Sequence, residues 1–112
     1  AEFYAAKDHE QQADLLIQIV ERIQWENLIE AMDLISEYAP FFDGLGDDFI
    51  LPWRIVSSLP SLTLNPAQQV LDELRALSLA AQEAGLPLWS AKAAHFAGWL
   101  AVQLGDYPAA FR

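Results

Sequence analysis

The stretch NPAQQVLDELRALSLAAQEAG, residues 65–85, is the clearest helix of the sequence. Asn65 is expected to be the N-cap and Pro66 the first helical residue, a position that needs no backbone N–H. Apolar residues then recur at steps of three and four on one face: Val70, Leu71, Leu74, Leu77 and Ala81. Gly85 is expected to end this helix, and Pro87 to prevent its restart. The stretch predicts an amphipathic helix with one buried face.

The segment upstream, residues 8–38, contains neither Gly nor Pro and shows the same helical periodicity. Its apolar stripe changes phase around Trp25, and Asn27 followed by Glu30 fits a capping box at the start of a second helix. Pro40 is expected to end that helix, because the residue before a proline is disfavoured in helical conformation. We therefore predict two helices here, over residues 8–24 and 27–38.

A short third helix is predicted at residues 48–58, after a loop that contains two glycines. Asp47 or Asp48 is expected to cap it, since a carboxylate can accept from the free amides of the first turn. Pro52 is expected near that first turn, where proline is tolerated. This helix precedes the capped stretch that begins at residue 65.

Downstream of Gly85, the pattern predicts a last full helix over residues 88–104, closed by Gly105, and the start of one more helix at Asp106. No stretch alternates between apolar and polar residues for long enough to predict a strand. The predicted fold class is therefore all-α, with five to six antiparallel helices arranged as a helical-hairpin array or as a bundle.

Length and composition set limits on what the chain can be. A chain of 112 residues with 54% hydrophobic residues is expected to form a single helical domain over residues 1–112, or to be a fragment of a larger helical-repeat protein. The absence of cysteine excludes disulfides and thiolate metal sites, and it suits a cytoplasmic location. No apolar run approaches the roughly 18 residues that predict a membrane span.

The net charge of −10 is distributed unevenly along the chain. Residues 1–48 contain twelve acids and two bases, whereas residues 49–112 contain four of each. Because nucleic-acid binding depends on Lys and Arg that neutralise phosphates, direct contact with nucleic acid is not expected, and neither is binding to anionic membranes. The acidic half is interpreted either as a solvated helix surface or as a docking face for a basic partner.

Small residues mark the last segment, AKAAHFAGWLAVQLGDYPAAF, residues 91–111. They fall at steps that would let a neighbouring helix approach closely: Ala94, Ala97, Gly98 and Ala101. A turn is expected at Gly105-Asp106-Tyr107, which would bring Ala110 on a returning helix to Gly98. This is the pattern of a closely packed helical hairpin.

The segment resembles the tetratricopeptide-repeat family, whose unit is a helical hairpin of about 34 residues. Gly98 matches the small residue of that family's first helix, Gly105 begins its inter-helix turn, and Ala110 matches the alanine that opens its second helix. The chain departs from the family where bulky residues are expected, because Ala94 and Ala97 stand there. The resemblance implies a helical-repeat array; an ordinary antiparallel bundle is the other interpretation.

Signs of catalytic chemistry are few. His9 lies between Asp8 and Glu10, but neighbouring residues on a helix point apart and cannot converge on one ion. An acidic row on the second helix has ligand-like spacing, yet it lacks the Glu-x-x-His pairs of di-metal bundles: Glu26, Glu30, Asp33 and Glu37. No nucleophile triad, phosphate loop or dinucleotide motif is present, so neither an enzyme nor a cofactor is predicted.

Aromatic residues are the remaining candidates for function, because they dominate both cores and interface hot spots. The chain has four tryptophans, six phenylalanines and three tyrosines. The residues predicted to bind a partner are Trp53, Trp89, His95 and Trp99. The leading hypothesis is a module that binds a peptide or protein segment through an aromatic groove or through the acidic face, with the groove favoured. The alternatives are a small-molecule sensor with a Trp-lined pocket and a self-associating, homo-oligomeric structural domain.

Overall fold

The computed structural model describes residues 2–105, with side chains from residue 8 onward. Within these residues the chain forms five α-helices and one short 3₁₀ helix, and no strand. The helices are α1 Glu2–Ile23, α2 Leu28–Phe42, α3 Asp47–Ser58, α4 Ala67–Glu83 and α5 Pro87–Gln103, with the 3₁₀ helix at Pro60–Thr63. The all-α prediction is confirmed. The predicted helix from Asp106, and with it Ala110, lies outside the described residues.

The break between α1 and α2 lies where the phase change predicted it. Residues 24–27 form a turn, and the side chain of Asn27 accepts a hydrogen bond of 3.1 Å from the amide of Glu30. This N-cap satisfies one of the amides that have no partner within the helix. The chain therefore changes direction at Trp25, and two helices form, as predicted.

Three expectations about prolines are wrong. Pro40 does not end α2, which continues to Phe42, because a proline in the last turn removes one hydrogen bond close to the natural helix end. Pro87 is the first residue of α5 and does not prevent the restart, since its fixed φ suits that position. Pro52 lies inside α3 and is fully buried, beyond the first turn.

The N-caps of α3 and α4 also differ from the predicted residues. The N-cap of α3 is Gly46, and both Asp47 and Asp48 lie in the first helical turn, where the positive end of the helix dipole favours carboxylates. The N-cap of α4 is Pro66, one residue after the predicted Asn65, because the backbone of Pro66 is still extended, with ψ of 142°. Both helices thus start within two residues of the predicted position.

A turn at Gly85 joins α4 and α5 into an antiparallel hairpin. Gly85 has φ of +78°, a left-handed conformation that favours glycine. The amide of Leu86 donates to Ala81 O at 2.8 Å and the amide of Gly85 to Gln82 O at 3.2 Å, which together form a Schellman motif. Ser78 and Ser90 then bond across the hairpin, each hydroxyl donating to the other residue's carbonyl. The predicted helix end at Gly85 is confirmed.

The small residues of α5 allow close packing, but on a face rotated from the predicted one. The buried alanines are Ala93, Ala97 and Ala101, spaced four apart, whereas Ala94 is exposed and Gly98 is half-buried. The rotation follows from Phe96 and Leu100, which are also buried and place the apolar side of α5 against α3 and α4. The close approach in the described residues is therefore made by alanines.

We expect Ala101→Leu to lower the free energy of unfolding by about 1–3 kcal/mol, because Ala101 is fully buried and added methylenes overpack a dense core. Ala94→Leu is the matched control on the same helix, and it should change stability by no more than about 0.5 kcal/mol because Ala94 is exposed. Urea denaturation of both variants measures the difference. Equal effects of the two substitutions would contradict the assigned packing face.

Helix α3 is central because it contributes to both hydrophobic clusters of the core. One cluster joins α3 to α4 and α5 through residues such as Ile55, Leu74 and Phe96, and the other joins α3 to α1 and α2 through Val56, Trp53 and Phe42. Helices α1 and α5 both pack against α3, but their own backbones do not approach each other closely within the described residues. A groove is therefore left open between α1 and α5.

Candidate functional site

The wall of this groove on α1 is an apolar stripe at steps of four: Leu15, Ile19 and Ile23. Leu15 is mostly exposed, and the other two are half-buried. Together with Lys92 of α5 and Trp25, they enclose a depression of about 720 Å³. One face of α1 consequently presents a row of apolar side chains that are only partly covered.

An ion pair between Glu21 and Lys92 bridges the two sides of the groove. Lys92 Nζ lies 2.8 Å from Glu21 Oε1 and 2.9 Å from Glu21 Oε2. The same Nζ lies 4.5 Å from the centroid of the Trp89 ring, which packs against both core clusters. Because both charged side chains remain partly exposed, the pair contributes at most about 1 kcal/mol. The pair links α1 and α5 through their side chains.

A smaller pocket of about 350 Å³ adjoins the depression. Trp25 and Trp99 form its aromatic side, with ring centroids 5.8 Å apart and planes at 83°. The Trp25 ring also meets Phe96 edge-on at 6.1 Å. Edge-to-face contacts of this kind hold a ring in one orientation without covering its outer face. Trp25 remains 55% exposed and Trp99 40% exposed, so both indoles are available to a partner.

Trp25 lines both depressions and makes them one continuous surface. We call this surface the tryptophan groove, and we define it by Leu15, Ile19, Ile23, Trp25, Leu28, Leu62 and Trp99. Contiguous apolar patches on a folded chain usually mark interaction sites, whereas isolated exposed apolar residues carry no such meaning. The tryptophan groove is the candidate functional site.

The four residues predicted to bind occupy different environments. Trp99 lies in the tryptophan groove, and His95 is exposed one turn earlier on α5, with its ring 6.2 Å from that of Phe96. Trp89 is half-buried beside Lys92. Trp53 lies in the core, 6% exposed, with its ring stacked on Phe42 at 4.0 Å and 8°. The structure does not bring the four together.

Trp25 is the central residue of the groove, and it was absent from the predicted binding residues. Its position at the phase break between two helices was the available signal, because a tryptophan in a turn belongs to neither buried helix face. The sequence could not show that Trp99 of α5 lies beside it. That proximity depends on how both helices pack on α3.

The acidic row near the groove does not form a metal site. Among the described residues, no three His, Asp or Glu side chains lie close enough to hold an ion. The four acids of the row are all exposed, and Glu26 lines the small pocket beside Trp25. Across residues 2–105, no helix combines the length and apolarity needed to cross a bilayer.

No protein-family model, curated protein or solved structure matches this chain.

Proposed function

We propose that this chain is a protein-interaction module that binds an apolar segment of a peptide or protein partner in the tryptophan groove. The observation that carries the proposal is the exposure of Trp25 and Trp99 in edge-to-face contact beside apolar residues of α1. Tryptophan is enriched among residues that dominate binding energy, since it offers a large rigid area at low entropic cost. A partner that covers these rings gains affinity without reordering the module.

The fold supports the same class of function. Trp99, on the α5 side of the groove, belongs to residues 91–111, the segment that resembles a tetratricopeptide repeat. The groove suits binding better than the acidic face does, because interface centres are depleted in charged residues and enriched in aromatic ones. Glu26, in the turn before α2, lies in the wall of the groove, and the rim of an interface is usually polar.

A peptide selection tests the proposal directly. A phage-displayed library of random 16-residue peptides is selected on the immobilised chain and, in parallel, on Trp25→Ala. We expect wild type to enrich peptides that share two or three large apolar residues, and we expect these peptides to bind Trp25→Ala weakly or not at all. Binding is measured by fluorescence polarisation of the enriched peptides.

Two outcomes would overturn the proposal. One is the absence of any enriched peptide, or the enrichment of peptides that bind Trp25→Ala as tightly as wild type. The other is a dimer of the wild-type chain by light scattering together with a monomer of Trp25→Ala, which would assign the groove to self-association.

A second candidate function, small-molecule binding, is favoured by a cavity between α2, α3 and the 3₁₀ helix. It measures about 330 Å³, within the lower range of ligand pockets, and Trp53 and Arg54 line it. Ser57 also lines it, and its buried hydroxyl has no hydrogen-bond partner among the described residues. A small polar molecule in the cavity could form a hydrogen bond with that hydroxyl. Thermal-shift measurements with polar metabolites on wild type and Ser57→Ala test this function, which predicts stabilisation of wild type alone.

A further inference from the structure

Resting on the proposed function, we propose that the occupant of the tryptophan groove is a basic segment with apolar anchors, and that its Lys and Arg residues lie at the α2 end of the groove. The apolar anchors would cover Trp25, Leu28 and Trp99. The cations would lie over the exposed acids that begin at Glu26 in the pocket wall and continue along α2.

Charge complementarity is the first argument. Residues 23–53 contain seven acids and no Lys, Arg or His. All seven are exposed, and Glu26, in the wall of the groove, is followed along α2 by Glu30, Asp33 and Glu37. Glu30 and Glu37 are two helical turns apart, roughly 10 Å along the axis, so two or three cations of one segment could face them. Such a field raises the association rate of a basic partner.

The opposite end of the groove differs in charge. Arg22 and Lys92 line the depression there, and Lys92 is paired with Glu21. Cations of an occupant would face both acidic and basic side chains at this end, and only acidic ones at the α2 end. The difference fixes the direction in which a segment with cations at one end would lie.

An unpaired acceptor in the pocket wall is an independent observation. Gln24 is only 4% exposed, and its Nε2 donates to the carbonyl of Glu21 at 3.2 Å. Its Oε1 is buried and has no donor among the described residues, although Gln24 lines the pocket. A buried amide oxygen without a donor is uncommon in folded proteins. A donor from an occupant would pair with this oxygen, and Lys and Arg side chains, which carry only donors, meet that requirement.

A second copy of this chain fits less well than a basic partner. The chain has a net charge of −10, so two copies repel each other as they approach. Like charges brought together across an interface oppose association. The occupant with matching chemistry is therefore positively charged.

Synthetic peptides test the inference. Two peptides share Leu and Phe anchors at positions i, i+4 and i+8 and differ in having four Lys or four Gln residues at one end. We expect the Lys peptide to bind at least about 10-fold more tightly at low salt, mainly through its association rate. The triple substitution Glu26→Gln, Glu30→Gln, Asp33→Asn should remove most of this advantage.

A charge-matched variant provides the control. Asp72→Asn, Glu73→Gln, Glu83→Gln changes the net charge equally on the exposed face of α4 and should leave most of the advantage in place. Equal binding of both peptides, or equal effects of the two triple variants, overturns the inference and leaves the proposed function standing. Binding of neither peptide, or full binding of both to Trp25→Ala, counts against the proposed function itself. A wild-type dimer in sedimentation that becomes a monomer in Trp25→Ala overturns both.

Discussion

Trp53→Ala is expected to lower the free energy of unfolding by about 3–5 kcal/mol, the cost of emptying an aromatic site in a core. Trp53 is 6% exposed, and its ring stacks on Phe42, which is 1% exposed. The stack joins α3 to α2, so the cavity would open in the cluster that also holds α1. The melting temperature should fall by roughly 12–20 °C in a chain of this length. Thermal and urea denaturation measure both quantities.

Trp53→Phe is the matched variant, because it keeps a ring that can stack on Phe42. We expect it to recover at least half of the stability that Trp53→Ala loses. A Trp53→Ala variant as stable as wild type would show that the ring is not part of the core, and Trp53 would then return to the candidates for direct partner contact.

Trp25→Ala is expected to reduce peptide binding strongly and stability only slightly. It should weaken binding of a groove-selected peptide by about 30- to 1000-fold, equivalent to about 2–4 kcal/mol, as expected for a central aromatic hot spot. Its effect on unfolding should be only about 1 kcal/mol, since more than half of the side chain is already exposed to solvent. Fluorescence polarisation and urea denaturation of the same sample separate the two effects.

Leu79→Ala is the control for Trp25→Ala. Leu79 is 58% exposed on α4 and does not line the groove, so its removal should leave peptide affinity within about 2-fold of wild type. If both variants lose affinity equally, general surface hydrophobicity accounts for binding. If Trp25→Ala instead loses several kcal/mol of stability, the ring is structural and the groove is not a docking surface.

Much of the secondary structure was predictable because its signals act within one or two helical turns. The cap at Asn27 and the left-handed glycine at Gly85 both lie where the sequence places them. The five apolar positions predicted for the helix after residue 65 are all buried. A hydrogen bond between residues three apart, or a backbone angle open mainly to glycine, does not depend on distant parts of the chain.

The effects of the prolines on the helices were less predictable, because the free energy that a proline costs a helix depends on its surroundings. Pro52 removes one hydrogen bond from α3, yet the ring is fully buried. Pro40 lies in the last turn of α2, where few bonds remain to be lost. Sequence patterns treat proline as a stop signal, whereas tertiary packing decides whether the helix continues past it.

The sequence alone determined the fold class, the turns at Asn27 and Gly85 that separate helices, and the presence of unusually many tryptophans. Only the tertiary structure decided which tryptophans are exposed. Trp53 is covered by Phe42 of a neighbouring helix, whereas Trp25 stays open because α1 and α5 both pack on α3 with their backbones apart. The ion pair that spans this gap joins Glu21 and Lys92, 71 positions apart. No local sequence pattern predicts a contact between residues so far apart in the chain, because the contact results from helix packing that the whole core determines.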